Sequence, residues 1–407
     1  MNVYFHTFGC KANQYDTERV RQAFADAGAT VVDAPEAADL AVVNSCTVTR
    51  ESEAKLRRYV RHQAHAGRDT IVMGCAAALD DGVLASLPRV RAVVGGADPE
   101  PVLRAAGVAA ARVDPVLRRF SGSARGWLKI QDGCDEHCTF CATTIARGAN
   151  RSRPVSDLVT EARALAGHHA ELVLTGVHIG TYGQDREGAT GSAVARSLGE
   201  LLEALVDAVP GVRFRLSSIE ATEVDDRIAG LLLAAPGRVA AHLHAPLQSA
   251  ANRVLRRMGR HWYTAETYRA RIEWLAGRLP VFGLGADVIA GFPGEADPEH
   301  RATLDFVAAL PFTYLHVFPF SVRPDAPAAK LAGRLPEAVV RERARELRAV
   351  GDGKAAAYRA GRRGGRGDGV VCGRQAGRVA VLTEDYLSVY LSSRAWDGRA
   401  RLDVTVD

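Results

Sequence analysis

The stretch that decides the fold is Gly133-Cys134-Asp135-Glu136-His137-Cys138-Thr139-Phe140-Cys141. It places three cysteines at the spacing Cys-x3-Cys-x2-Cys, so that three thiolates can face one point. Thiolates are soft ligands, which select zinc, Cu(I) or iron–sulfur clusters. A closed structural zinc site needs a fourth protein ligand, and His137 is the only local candidate. The spacing therefore favours a 4Fe-4S cluster with one open iron over zinc, and over three structural cysteines that bind nothing.

This stretch, including the aromatic Phe140 before the last cysteine, resembles the signature of the radical S-adenosylmethionine (radical SAM) enzymes. The resemblance implies that Cys134, Cys138 and Cys141 hold the catalytic cluster. It also implies that the open iron binds the amino and carboxylate groups of S-adenosylmethionine, which an electron then cleaves to a 5'-deoxyadenosyl radical. Residues 142–145 depart from the family, which usually has bulky apolar residues and a proline there.

Length and composition limit the possible classes of protein. A chain of 407 residues predicts two or three domains. The longest apolar runs, such as residues 231–236, are far too short to span a membrane, and residues 1–5 have a strand pattern rather than a secretory signal. We therefore expect a cytoplasmic protein without a membrane partner, in a reducing compartment where clustered cysteines bind metals. The net charge of +5 mildly favours an anionic partner, although the many arginines and few lysines could reflect a GC-rich genome.

The first 115 residues alternate short apolar strands with helical patterns, which predicts an open, mostly parallel α/β sheet. The predicted strands cover residues 3–7, 29–32, 40–43, 70–73 and 92–94. The predicted helices cover residues 14–27, 51–66 and 80–87.

Three cysteines of this domain follow predicted strands. Cys10 comes after the first strand, Cys46 after the third and Cys75 after the fourth. Ligands of open α/β sheets sit at the carboxyl ends of the strands, and parallel strands would bring these turns to one edge. A lone buried cysteine is usually a small apolar side chain. Three at equivalent turns instead favour a second three-cysteine cluster site, again with an open iron.

The segments around these cysteines resemble the N-terminal domain of the radical SAM methylthiotransferases, which holds an auxiliary 4Fe-4S cluster. The segments are residues 7–16, 43–49 and 73–76. Lys11 and the run Asn13-Gln14-Tyr15 are most similar to the branch that modifies threonylcarbamoyladenosine in tRNA. The branches that act on isopentenyladenosine in tRNA, or on an aspartate of a ribosomal protein, differ around the first cysteine.

The central region, residues 120–350, contains six strand–helix repeats, which predicts a (β/α)6 partial barrel with its chemistry at the carboxyl ends of the strands. The predicted strands cover residues 127–131, 172–175, 212–216, 239–243, 282–289 and 314–318. The cysteine loop follows the first of them. Arg147 and Arg153 come after this loop, and either hold a carboxylate or phosphate or are solvated basic residues.

The family resemblance extends to the other strand ends, where it implies a pocket for S-adenosylmethionine. Residues 246–249 resemble the family's Pro-Leu-Gln-Ser run, although Ala250 replaces the usual glycine, and residues 287–295 resemble its adenine-side glycine motif. With the aromatic residue of the cysteine loop, the implied cofactor-binding residues are Phe140, Gly176, His178, Ser218, Glu220, Gln248, Ser249 and Gly291.

The last part of the chain, residues 351–407, predicts a small β-barrel. Residues 337–350 precede it as a charged helix, and the Gly- and Arg-rich residues 361–367 are typical of a flexible hinge. The turn at residues 383–386 resembles the TRAM module, an RNA-binding appendage of the family. Cys372 lies inside a predicted strand and is interpreted as structural.

Together these resemblances imply a tRNA methylthiotransferase with two 4Fe-4S clusters and S-adenosylmethionine. Its implied product carries a methylthio group on carbon 2 of threonylcarbamoyladenosine at tRNA position 37. Its implied partners are the tRNA anticodon loop, an electron donor such as flavodoxin or ferredoxin, and a sulfur source. The alternatives are the same chemistry on isopentenyladenosine or on a ribosomal protein aspartate, and an iron–sulfur RNA-binding protein without turnover.

Overall fold

The computed structural model describes residues 1–109, 112–186, 195–394 and 396–407. The chain forms two compact units. The first consists of residues 1–121, 132–136 and 141–151, and the second of residues 122–131, 137–140 and 152–407. The division into three domains at residues 115, 120 and 350 stays a prediction, because the second unit holds both the central strands and the C-terminal strands. Across the described residues, no helix is both long enough and apolar enough to cross a membrane.

The first unit is built on a five-stranded parallel sheet of order β2-β1-β3-β4-β5. This confirms the predicted parallel α/β architecture. Its strands are β1 Asn2–Thr7, β2 Thr30–Val32, β3 Leu40–Ser45, β4 Asp69–Gly74 and β5 Val90–Gly95. Its helices are α1 Lys11–Asp26, α2 Arg50–His65, α3 Cys75–Ala78 and α4 Pro99–Ala106.

Both faces of this sheet are covered by helices, as a parallel sheet requires. Leu40 and Val42 of β3 point to a core that includes Phe24 of α1. The alternate residues Ala41 and Val43 point to a second core, formed with α2. Because both sets of side chains are buried, β3 is a continuous apolar run rather than an alternating one.

One helix prediction in this unit was wrong. Residues 80–87 form turns, and the helix after β4 is the short α3, which begins at Cys75. Gly82 has a φ of +103°, which a right-handed helix does not allow. Asp80 accepts the backbone N–H of Leu84 at 2.8 Å and so stabilises the turn instead.

The second unit contains six parallel strands in two three-stranded sheets, of order β10-β9-β6 and β11-β12-β13. Isolated parallel bridges, Phe214 with Val239 and Ser218 with His244, join β10 to the β11 side. Within the described residues β6 and β13 each pair on one side only. The predicted (β/α)6 partial barrel is therefore confirmed. Its strands are β6 Arg125–Lys129, β9 Glu171–Thr175, β10 Arg213–Leu216, β11 His242–His244, β12 Gly283–Ala290 and β13 Tyr314–Pro319.

In sequence, helices and two short strands separate these barrel strands. The helices are α5 Thr143–Arg147, α6 Val155–Ala166, α7 Leu198–Ala208, α8 Asp226–Ala234, α9 Asn252–Arg257, α10 Ala265–Ala276 and α11 Asp297–Ala309. The short strands are β7 Gln131–Asp132 and β8 Arg151–Ser152. Side-chain caps start several helices. For example, Ser197 accepts the N–H of Glu200 at the start of α7, and Asp225 accepts that of Ile228 at the start of α8.

A 26-residue helix, α12 Glu337–Arg362, leads from the barrel to a four-stranded antiparallel sheet of order β16-β15-β14-β17. This antiparallel sheet is consistent with the predicted small C-terminal β-barrel. Its strands are β14 Arg366–Gln375, β15 Arg378–Leu382, β16 Ser388–Ser392 and β17 Arg401–Thr405. The predicted helix end at residue 350 was wrong, and so was the hinge interpretation of residues 361 and 362, which belong to α12. Cys372 lies inside β14, as predicted, and its Sγ donates to the carbonyl of Val370.

The amino-terminal end of the barrel contains a buried charge group, the Glu171 cluster, made of Glu171 with Arg125, Arg213 and Arg215. Glu171 accepts from Arg125 Nε and Arg213 Nε at 2.7 Å each, and from Arg215 Nη2 at 3.0 Å. Three of the four residues begin strands, and the side chains of Glu171 and Arg213 are both 0% exposed. Burial opposes the charged form of Glu171, but the three arginines outweigh it and hold the pKa of this carboxyl well below its ordinary value.

The turn at residues 383–386, which we call the closing turn, packs against this end of the barrel. Arg215 donates to the carbonyl oxygens of Thr383 at 2.8 Å and Glu384 at 3.0 Å, and the ring of Tyr386 stacks on that of His242 at 4.4 Å. A Cβ on Gly283 would lie 2.1 Å from the carbonyl oxygen of residue 385, so only glycine fits at the start of β12. The motif that resembles an RNA-binding module is thus part of the barrel's own packing.

Candidate functional site

Three adjacent strands of the first unit carry the three predicted cysteines to one edge of the sheet. Cys10 precedes α1 after β1, Cys46 directly follows β3, and Cys75 directly follows β4. β1, β3 and β4 are neighbours and parallel, so their carboxyl ends meet. The strand order reverses direction between β1 and β3, and α/β sheets of this strand order bind their ligands at that reversal.

The cysteine side chains gather around the buried amide of Asn13. Its Oδ1 accepts from Cys10 Sγ at 3.7 Å and from Cys75 Sγ at 3.8 Å. Cys46 Sγ lies 3.2 Å from the position that a Cβ on Gly9 would take, and Gly9 has a φ of +113°. Any other residue at position 9 would crowd this sulfur. The Nδ2 of Asn13 donates to the carbonyl of Ser45 at 2.9 Å, which fixes the amide.

Arg147, at the end of α5, is the fourth element of this first site. Its Nε donates to Cys75 Sγ at 3.2 Å and its Nη2 to Asn13 Oδ1 at 2.7 Å. Asp16 and Asp132 each accept from the guanidinium at 2.9 Å. The Arg147 side chain is only 7% exposed, so it is neither a solvated residue nor free to hold another carboxylate. Sequence analysis did not predict this contact, because its partners come from separate strands and helices.

The electrostatics of the first site fit a group that binds thiolates. Burial raises the pKa of Cys75 to about 11, although Arg147 opposes the rise. Burial also works against the charge of Arg147, but Asp16, Cys75 and Asp132 outweigh it and raise the pKa of the guanidinium. A thiol with this pKa is neutral at pH 7 and ionises when a metal takes the sulfur as ligand. Three converging sulfurs beside a buried cation therefore suit an anionic metal–thiolate cluster.

The first unit also holds two cysteines of the central loop, Cys134 and Cys141. The N–H of Cys134 donates to the carbonyl of Gly148 at 3.0 Å, and Cys141 Sγ accepts the N–H of Thr143 at 3.3 Å. Gly133 has a φ of +73°, and a Cβ there would lie 1.8 Å from the carbonyl oxygen of Ala149. The loop before the first cysteine can therefore only turn with glycine at this position.

The second unit holds Cys138, whose Sγ accepts a hydrogen bond from Arg260 Nη1 at 3.5 Å. The same guanidinium makes a short hydrogen bond to Glu220 Oε1 and donates to the hydroxyl of Tyr263 at 3.0 Å. The loop is anchored here by Thr139, whose N–H donates to the carbonyl of Met258 at 2.8 Å. Arg260 was not identified from the sequence, yet it has the same relation to Cys138 that Arg147 has to Cys75.

The two carboxylate oxygens of Glu220 differ in their hydrogen bonding. Oε1 accepts from Arg260, whereas Oε2 is buried and has no hydrogen-bond partner among the residues that the structure describes. Burial raises the pKa of Glu220, and Arg260 offsets part of the rise. A buried acceptor without a donor is costly, so a donor group of a ligand fits here. This supports the predicted contact of Glu220 with a hydroxyl-bearing cofactor.

The remaining predicted cofactor residues are found at strand ends of the second unit. His178 is held by Glu223 at 2.7 Å and Ser249 by the hydroxyl of Thr303 at 3.4 Å, so both have partners within the protein. Gly291 has a φ of +74°, and a Cβ there would lie 2.7 Å from Val340. Packing alone thus explains this glycine. A Cβ on Gly176 would lie 2.7 Å from a side-chain oxygen of Gln131.

The other three predicted cofactor residues are Gln248, Ser218 and Phe140. Gln248 is buried with a φ of +60°, a strained backbone that costs about 1–3 kcal/mol and is concentrated at functional sites. Ser218 is exposed, and Phe140 is half-buried. The roles of these residues in cofactor binding stay predictions.

A second polar group on the barrel strands was missed by sequence reasoning. His244 at the end of β11, Asp287 in β12 and His316 in β13 bring their side-chain nitrogen and oxygen atoms within 4.8 Å of one another. The available signal was one ionisable residue inside or directly after each of three consecutive predicted strands. We call these residues, with Tyr314, the imidazole cluster.

Comparisons with known proteins agree with these features. Residues 2–95 match the model of the uncharacterized protein family UPF0004, and residues 128–307 match that of the radical SAM superfamily. The chain is 37% identical to the threonylcarbamoyladenosine tRNA methylthiotransferase MtaB of Bacillus subtilis (strain 168), over 88% of this chain and 81% of the relative. It is 35% identical to the protein of the same name from Thermotoga maritima, over 84% and 80%.

More distant similarities are consistent with this. The chain is 33% identical to a tRNA-2-methylthio-N(6)-dimethylallyladenosine synthase of Acidithiobacillus ferrooxidans, over 88% of this chain and 83% of the relative. Among solved structures, the radical S-adenosylmethionine methyltransferase TsrM from Kitasatospora setae superposes with a TM-score of 0.60 at 16% identity, covering 80% of this chain and 76% of that one. At that identity the match shows the fold alone.

Proposed function

The chain belongs to the radical SAM tRNA methylthiotransferases, and from this premise we propose that it places a methylthio group on carbon 2 of threonylcarbamoyladenosine at tRNA position 37. The observation that carries the proposal is the convergence of Cys10, Cys46 and Cys75 around Asn13, in a chain that also has the three-cysteine loop. Two relatives that align over four-fifths of their length are named for this substrate.

In this proposal each cysteine set holds one 4Fe-4S cluster and leaves one iron open. Cys10, Cys46 and Cys75 hold the auxiliary cluster, while Cys134, Cys138 and Cys141 hold the catalytic one. When bound, the catalytic cluster would pass on the electron that splits S-adenosylmethionine, and the auxiliary cluster would carry the sulfur that is methylated and inserted. The proposed cofactor pocket is the predicted set of Phe140, Gly176, His178, Ser218, Glu220, Gln248, Ser249 and Gly291.

The protein's own contribution is to hold and tune the sulfurs. Arg147 donates to Cys75, and Arg260 donates to Cys138, so each set has one sulfur that accepts from a buried guanidinium. Hydrogen bonds to cluster sulfurs and nearby positive charge favour the reduced state of a cluster. Glu220 fixes the orientation of Arg260, and Asp16 that of Arg147.

The remaining parts of the proposal concern partners. The relatives' names imply a tRNA, whose position-37 base must leave the anticodon stack to reach a barrel strand end. We propose an electron donor of the flavodoxin or ferredoxin type, a separate sulfur source and a cytoplasmic location.

The test is mass spectrometry of nucleosides from total tRNA, with and without the gene, and after complementation with the wild-type protein or with Cys138→Ala. We expect methylthio-threonylcarbamoyladenosine to disappear without the gene, its unmethylthiolated parent to accumulate, and only the wild-type protein to restore the product. Loss of the isopentenyl counterpart instead would keep the chemistry and refute the substrate. No change in any methylthio nucleoside would indicate a ribosomal protein substrate or a binding protein.

A further inference from the structure

The imidazole cluster lies on consecutive strands of the barrel and is joined by hydrogen bonds. His244 Nε2 lies 3.0 Å from Asp287 Oδ1, and His316 Nδ1 lies 3.3 Å from the same oxygen. Asp287 and His316 are directly paired in the register of β12 and β13. The hydroxyl of Tyr314 lies 3.0 Å from His244 Nδ1 and 2.9 Å from His242 Nε2.

The directions of these hydrogen bonds follow from the chemistry of the groups. An ionised carboxylate only accepts, so both imidazoles donate to Asp287. In neutral His244 the other ring nitrogen then accepts from the hydroxyl of Tyr314, which in turn accepts from His242. Burial would raise the pKa of Asp287, but His244 and His316 outweigh it and hold the pKa below its ordinary value. Asp287 is therefore a charged anchor for two imidazole rings.

Exposure increases along this chain of groups. The side chain of His244 is 8% exposed, that of Asp287 is 24% exposed, and that of His316 is 55% exposed. The Nε2 of His316 makes no hydrogen bond within the part of the chain that the structure describes. Because Asp287 holds its Nδ1, the ring presents Nε2 outward, where it can accept from a hydroxyl and, when the ring is protonated, donate to a carboxylate.

The cluster lies directly next to the loop of predicted cofactor residues. The carbonyl oxygen of Asp287 accepts the N–H groups of Leu247 at 3.1 Å and Gln248 at 2.8 Å. Gln248 also bridges to Val288, the next residue of β12. A base that approaches the proposed cofactor pocket at these strand ends therefore comes within reach of the imidazole cluster.

Such a surface matches a polar ligand rather than an alkyl one. An apolar group packed against Asp287 and His316 would remove their water without replacing its hydrogen bonds, which is costly. A site built to hydrogen-bond its substrate strongly rejects an analogue that lacks the polar group. Two histidines and one carboxylate are also a donor set that metals use, so cation binding is an outcome to be tested.

We propose that His316, anchored by Asp287 and supported by His244 and Tyr314, binds the carboxylate or hydroxyl of the N6 substituent of the substrate adenosine, and so selects a threonylcarbamoyl group over an alkyl group. This inference rests on the proposed function. It assigns the choice between the two tRNA substrates to the last three barrel strands.

The experiment compares cluster-loaded wild-type protein with His316→Phe, His316→Gln and the control His168→Phe, an exposed histidine at the end of α6. The substrates are two anticodon stem-loop RNAs of one sequence, with either threonylcarbamoyladenosine or isopentenyladenosine at position 37. The readouts are kcat and KM for methylthio insertion, RNA affinity, and metal content after dialysis. Iron content and circular dichroism must match wild type before a variant is compared.

We expect His316→Phe to lower kcat/KM for the threonylcarbamoyl RNA about ten- to hundredfold, mainly through KM, as loss of a charge-assisted hydrogen bond implies. His316→Gln, which keeps a donor, should lose less, and His168→Phe should match wild type.

Unchanged kinetics of a folded His316→Phe would overturn the inference while the proposed function stands. So would a divalent ion that wild type retains and His316→Phe loses. A wild-type preference for the isopentenyl RNA would refute the proposed function as well. If His316→Phe does not fold, His316→Ala replaces it with the same expected loss for the threonylcarbamoyl RNA, and wild-type kinetics of a folded His316→Ala overturn the inference.

Discussion

Removal of Glu171 should destabilise the second unit more than any other single charge change in it. Its carboxylate is the shared acceptor of Arg125, Arg213 and Arg215, whose side chains are 10%, 0% and 1% exposed. Glu171→Ala removes the shared carboxylate from three buried guanidinium groups, and of the three only Arg213 keeps a carboxylate partner among the described ion pairs, Asp368 at 3.1 Å. Breaking a buried ion pair by removing one partner costs about 3–5 kcal/mol, and this residue serves three partners. We therefore expect a loss at the upper end of that range, against a typical domain stability of about 5–15 kcal/mol.

The assay is urea unfolding at pH 7, followed by circular dichroism under anaerobic conditions. With a denaturant slope of about 3 kcal/mol per molar, the expected loss lowers the urea midpoint by about 1 M or more. Glu203→Ala is the control, because its salt bridge to Arg227 joins side chains that are 40% and 55% exposed, and we expect no measurable change. A midpoint for Glu171→Ala within the error of wild type would refute the reasoning.

The pH dependence of the same variant checks the assignment of charge. The pKa of Glu171 is depressed in the folded protein, so its contribution is complete above the pKa of the unfolded state and is lost only as pH falls through the folded value. The difference between wild type and Glu171→Ala should thus be constant from pH 6 to pH 8 and shrink only in strong acid. A difference that changes across the neutral range would indicate that another group titrates with the cluster.

Two further predictions concern the first site. Arg147→Gln should lower the reduction potential of the auxiliary cluster in an EPR redox titration, because the sulfur of Cys75 loses a charged donor, whereas Arg118→Gln, an exposed arginine paired with Asp26 and Asp114, should leave it unchanged. Equal potentials in all three proteins would show that Arg147 only supports the fold. In metal-free protein the alkylation rate of Cys75 should keep rising with pH up to about 11, since burial raises its pKa to that value, and peptide mass spectrometry that finds half-maximal labelling below pH 9 would contradict this.

Local sequence patterns identified the parallel strands of both units, because buried strands are short apolar runs bounded by turn residues. These patterns failed at positions where tertiary packing determines which residue is present. The charged helix was predicted to end at residue 350, yet Gly351 lies inside α12, and a Cβ there would be 3.1 Å from Leu315 of β13. The glycine lets helix and strand approach closely, and composition alone cannot distinguish that use from flexibility.

The candidate site shows the same contrast between residues that could be predicted from the sequence and residues that could not. Cys10, Cys46 and Cys75 could be placed together from sequence, since strand order alone brings the ends of parallel neighbours to one edge. Arg147 and Arg260 could not, because an arginine looks the same whether it is solvated or buried against a sulfur. Their partners are set by how segments distant in sequence fold together. The imidazole cluster had a partial signal, because Asp287 is an ionisable residue inside a largely apolar predicted strand, which is uncommon.

The closing turn limits how this protein can be rearranged in evolution or in the laboratory. The C-terminal antiparallel sheet would be an exchangeable module if a linker alone joined it to the barrel. Here its residues 383–386 supply the carbonyl acceptors of Arg215 and the ring that covers His242. A foreign module grafted after Arg362 would have to reproduce that turn, or the recipient barrel would have to lose its buried arginines at the same time. Domain shuffling at this junction therefore requires paired changes in two places.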